Sequence, residues 1–136
     1  MQASVRHKHE LPIVGFDVQL VGDDFGRPSV YQRRGMVIGE LTLYPSGLVF
    51  AANPDEDRFR REATLREIPA ESIRGAERWP AGRDADGHRQ KRSDLWQRVI
   101  PRVRIETVDG PLVFQCRRAK ELIAAVEEHF LGAAVR

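Results

Sequence analysis

The chain of 136 residues holds one cysteine, two methionines, three lysines and no long apolar run. A lone Cys116 excludes a disulfide framework, and eleven glycines without a period exclude a collagen-like fibre. The opening stretch, MQASVRHKHELP, lacks the apolar core of a secretory signal. The expectation is therefore a protein of the reducing cytoplasm, with peripheral attachment to a membrane as the alternative. Catalytic signatures are missing as well: there is no Gly-x-Gly-x-x-Gly, no Gly-Lys-Ser phosphate loop and no nucleophile elbow. His7, His9, His88 and His129 are too scattered to assemble a four-ligand zinc site. Asp55-Glu56-Asp57 and Asp84-Ala85-Asp86 begin like cation loops but lack the late glutamate. No enzymatic activity, cofactor or metal is expected.

What the chain does have is arginine. Of its 22 cations 19 are arginines, against 20 carboxylates, for a net charge of +2. Arginine offers a planar fork to carboxylates and phosphates and is enriched in protein interfaces. Residues 74–104 carry nine cations and four anions, so a basic region sits on a slightly acidic body.

Hydrophobic alternation predicts strands. Val14, Phe16, Val18 and Leu20 share one face of residues 13–21, opposite Asp17 and Gln19. In residues 36–44, Val37, Leu41 and Leu43 oppose Glu40 and Thr42. Pro45-Ser46-Gly47 turns the chain back into Leu48-Val49-Phe50. Short strands follow at 64–69 and from Ile73 to about Trp79. Residues 97–107 place Val99, Val103 and Ile105 inward and Arg102, Arg104 and Glu106 outward. Val108-Asp109-Gly110 forms a hairpin turn, and Leu112, Phe114 and Cys116 face inward from the last strand. From Arg118 the period changes to helical, with Ala119, Leu122, Ile123, Val126 and Phe130 on one stripe and Gly132 as a C-cap. Residues 1–12 read as a tail and 13–136 as one domain with a mobile loop at about 80–95, which is polar and carries two glycines and a proline.

Seven strands and a terminal helix are expected to form a mainly β fold, a bent antiparallel sheet or barrel capped by the amphipathic helix. Three stretches resemble the PH-like superfold and its GRAM and bacterial PH-like families. They are Gly39-Glu40-Leu41-Thr42-Leu43-Tyr44-Pro45-Ser46-Gly47-Leu48-Val49-Phe50, then Ile68-Pro69-Ala70-Glu71-Ser72-Ile73, then residues 104–114 leading into the helix. The resemblance spans about residues 13–131 and implies a binding module rather than a catalyst.

Two surfaces are candidates on this reading. Arg102 and Arg104, two apart, and Arg74 and Arg78, four apart on the neighbouring strand, would form a basic stripe. That stripe would contact an acidic protein surface or another copy of the chain. The alternative is weak attraction of Arg27, Arg33 and Arg34 to anionic phospholipid, which the resemblance suggests. The resemblance implies spaced cations across the first hairpin for inositol phosphate recognition, and the end of the first strand, Leu20-Val21-Gly22, departs from that by offering no basic partner for Arg33 and Arg34. Non-specific nucleic-acid binding ranks third, because only Trp79 and Trp96 border the basic region as stacking groups.

Overall fold

A computed structural model describes residues 10–21, 36–52, 65–87 and 99–132. Among the described residues there are seven strands: β1 (Val14–Val21), β2 (Met36–Tyr44), β3 (Gly47–Ala52), β4 (Leu65–Pro69), β5 (Ile73–Trp79), β6 (Arg102–Thr107) and β7 (Gly110–Gln115). The C-terminal helix, α1, begins at Ala119–Val126 and continues as a π-helical turn, Glu127–Leu131. All strands join one antiparallel sheet in the order β4-β3-β2-β1-β7-β6-β5. The two edge strands, β4 and β5, are consecutive in the chain and joined by a 3-10 turn at Ala70–Ser72. The sheet must bend to bring them to one corner, and it remains unclosed.

Turn chemistry sets the registers. Pro45 and Ser46 form the β2–β3 turn, and Gly47 leaves it at φ +147°, where a side chain would run into the β4 backbone. At the corner, Ser72 Oγ donates to Pro69 O (2.8 Å), and Val108 N donates to Ser72 O (2.9 Å). The corner is thereby tied to the β6–β7 hairpin.

The alternating apolar residues meet as expected. Phe16, Val18, Leu20, Leu41, Leu43, Phe50, Val103, Ile105 and Phe114 line the concave face, and Leu122 and Val126 of α1 cover it. Phe50 and Phe114 pack with ring centroids 5.8 Å apart. Each such side chain contributes about 1.5–3 kcal/mol on burial.

Two expectations need correction. Val99, expected inward, is 67% exposed, because β6 begins only at Arg102. Phe130 is half-buried at the rim of the core, since the π-helical turn rotates it off the α1 stripe. Gly132 stands at the C-cap of this turn, as expected, with right-handed helical angles (φ −57°) rather than left-handed ones. Residues 80–87, the first part of the loop expected at about 80–95, form turns that fold back over the convex face of the sheet. There Trp79 Nε1 donates to Asp84 O (2.6 Å) and Arg83 Nη1 to Gly87 O (3.0 Å). Residues 88–95 lie outside the described residues.

Candidate functional site

The expected four-arginine stripe does not form. Cross-strand partners share a face, so the register decides which arginines stand together. Trp79 lies opposite Arg102 and Glu77 opposite Arg104, all on the convex face, whereas Arg78 lies opposite Val103, a residue of the concave core. Arg78 therefore leaves by the other face. The cause is an irregularity between Ile73 and Gly75, which consumes Arg74 without a cross-strand partner and changes the parity of β5. Arg74 Nη1 instead donates to Glu71 O (2.6 Å).

Arg102 is not a surface residue at all; its relative exposure is 0%. The folded-back segment covers it. Its Nε and Nη2 both donate to Gln115 Oε1 (3.2 and 3.1 Å), and Nη1 donates to Arg83 O (2.7 Å). Gln115 Nε2 in turn donates to Gln19 Oε1. Burial pushes the Arg102 guanidinium down to about 10, partly offset by the nearby Asp84 carboxylate. Beside it Val21 and Val113 form a small second core with Trp79 and Ala85. Arg104 keeps partial access. Its guanidinium lies 5.0 Å from the Trp79 ring centroid and pairs with Glu106 (2.7 Å) and Glu77 (3.7 Å). Arginines held this way fasten a segment to the sheet.

The registers continue this row of side chains across the sheet. Trp79, Arg102, Gln115, Gln19 and Ile38 stand opposite one another in turn on β5, β6, β7, β1 and β2. Where the row reaches Gln115 and Gln19 a groove of about 570 Å³ opens. Its floor is the convex face of β1 and β2, at Gly15, Asp17, Ile38 and Glu40, and its far wall is Ile100, Arg117 and Arg118.

The groove owes its existence to a divergence of strands. β1 pairs with β2 along its whole length but with β7 only at residues 19–21. After Gln115 the chain leaves β1, and Cys116 N donates to Pro101 O (3.0 Å) instead. The charges around the opening are separated by sign. Asp17 and Glu40 are directly opposed across β1 and β2, an unfavourable like-charge pair. Neither has an ion-pair partner among the described residues, and nor has Arg117. Arg118 is engaged, lying 4.9 Å from the Phe16 ring centroid and 3.5 Å from Glu121.

Sequence reasoning named none of these groove residues as a site. The signal was limited to Asp17, Gln19 and Glu40 standing on the polar side of their strands. The lipid candidates Arg27, Arg33 and Arg34 lie outside the described residues. Among the described residues no group of His, Cys, Asp or Glu is placed to hold a metal ion, and no helix is long and apolar enough to cross a membrane. Cys116 is buried, and burial raises its thiol above the usual range.

No family model matches the sequence, and no curated protein matches it. Among solved structures the chain is similar to the C-terminal domain of an unknown protein from Leishmania infantum, with 12% identity and a TM-score of 0.53. The match covers 90% of this chain and 85% of that one, and at such identity it speaks to the fold alone.

Proposed function

We propose that the chain is a non-catalytic, PH-like binding module whose ligand is a protein. The order of seven strands followed by one helix, with the edge strands meeting at the Ile68-Pro69 corner, supports the family resemblance read from the sequence. The groove beside β1 carries the functional part of the reading. It holds two carboxylates on its floor and Arg117 on its opposite wall, without ion-pair partners among the described residues, on a sheet fixed from behind by the core. Fixed charges of both signs select a partner by complementary charge placement, as protein interfaces do. An anionic membrane or a nucleic-acid backbone would meet Asp17 and Glu40 as repulsion. The docking surface thus moves from Arg74, Arg78, Arg102 and Arg104 to the β1 groove.

A photoreactive amino acid placed at Ile38 or Ile100, with Val108 as a distant exposed control, tests this in the cells the chain comes from. Discrete protein adducts at the two groove positions and none at Val108 are expected, and Arg117→Glu should remove them. Sedimentation with phosphatidylserine vesicles, without groove adducts, would overturn the reading in favour of lipid. Adducts only between copies of the chain would name self-association as the function.

A further inference from the structure

We propose that the β1 groove receives an extended peptide that adds as a strand beside residues 14–18, with an acidic side chain toward Arg117 and a basic one toward Asp17 and Glu40. This rests on the binding-module reading and names the form of its ligand.

The first support is the backbone. In an antiparallel sheet alternate N–H and C=O groups of a strand point to opposite neighbours. β2 takes one set along all of β1, while β7 takes the other set only at residues 19–21. Over residues 14–18 the second set has no strand partner among the described residues, because the chain that would have continued β7 is bonded to Pro101. Those five residues offer an edge about 17 Å long, in the manner of sheets that recruit a peptide strand.

The second support is the shape and lining. Gly15 removes a side chain from the floor, and the Glu40 carboxylate lies over it, 3.1 Å from where a Cβ would stand. Ile38 is 41% exposed and supplies an apolar contact together with Ile100. The Arg118 guanidinium lies over the Phe16 ring at the groove's wall, and the exposed Arg117 is the cation there without an ion-pair partner among the described residues. Charge is the third support. A strand with residues of one sign alone would be attracted by either the acidic floor or the basic wall and repelled by the other, so a mixed segment fits best.

The test uses the full chain and four labelled nonapeptides followed by fluorescence anisotropy. One alternates valine with glutamate in one half and with lysine in the other. Two carry a single sign, and the fourth is the mixed peptide with alternate amides N-methylated. The mixed peptide should bind at least about tenfold more tightly than either single-sign peptide, and N-methylation should abolish binding. Arg117→Glu should turn the preference to the lysine peptide, while amide signals of Gly15 and Asp17, not Val108, shift on titration. Equal binding of the N-methylated peptide would overturn strand addition. No peptide binding, with protein adducts still forming at Ile38 and Ile100, would also overturn it while the binding-module reading survives on a folded surface. Loss of both would end both.

Discussion

The buried row through Arg102 makes a demanding prediction about how a charge is tolerated inside this protein. Gln115→Leu removes the acceptor of two guanidinium bonds, at 3.2 and 3.1 Å, and leaves the charge in place. Removing one partner of a buried charge costs about 3–5 kcal/mol, and this variant should lose about that much. Arg102→Met removes the charge itself. The guanidinium stands at about 10, well below its ordinary value because of burial, so relieving that burial returns about 3 kcal/mol at 1.36 kcal/mol per pH unit. Against that, Gln115 Oε1 and Arg83 O lose their donor, at about 1–3 kcal/mol each. The net loss should be about 1 kcal/mol. The double variant Arg102→Met with Gln115→Leu should therefore be more stable than Gln115→Leu alone, a coupling of about 2 kcal/mol. Urea unfolding at pH 7 followed by circular dichroism measures all four proteins. The pH dependence has a definite sign. A folded-state value below the unfolded one means that the unfolded chain holds more protons in the window that opens at about pH 10 and closes at the ordinary guanidinium value. Wild type should thus gain stability relative to Arg102→Met as pH rises through about 10. If Gln115→Leu were as mild as Arg102→Met, or the single losses simply added, the row would not be supporting a buried charge.

Three further outcomes can be checked on the same material. Gly39→Ala would place a Cβ against Ala51 O and 2.8 Å from Phe50 Cζ, so it should cost about 3 kcal/mol or more by urea unfolding. The Cys116 thiol should resist an aromatic disulfide reagent at pH 8 until urea unfolds the chain. Because its folded-state value is raised, the stability it contributes is present below the unfolded value and lost as pH climbs past it. Phe50→Ala, at a fully buried position, should lose about 3–5 kcal/mol, and the half-buried Phe130→Ala about half as much by the same unfolding assay.

The concave half of this fold is legible in the sequence because period-2 alternation reports which face meets a continuous core. Val14 to Leu20, Leu41 and Leu43, and Val103 and Ile105 all stand where alternation puts them. The convex half is not legible in that way. Arg102 alternates with Val103 and so reads as solvent-facing, yet its burial depends on a charged segment folding back through backbone carbonyls and a tryptophan N–H. Composition counts such a segment as solvated. The parity change between Ile73 and Gly75 has no residue signature in Ile73-Arg74-Gly75 beyond the glycine itself. The groove was hidden for a third reason. It depends on where the β1–β7 pairing stops, and a strand's own residues do not reveal how far its neighbour accompanies it.

That early stop bears on how the chain acquires its shape in time. Among the described strands, every pairing except β1 with β7 joins sequence neighbours, so four strands and three strands can each form as a local meander. The remaining join brings Gln19 to Gln115 across 96 positions. Closing a loop of that length costs about 4 kcal/mol of chain entropy before any contact forms. The short seam at residues 19–21 returns little until the shared core assembles with it. Folding should consequently be limited by this one closure rather than by any hairpin, and substitutions at Gln19 or Gln115 should slow folding while changes in the hairpin turns chiefly speed unfolding.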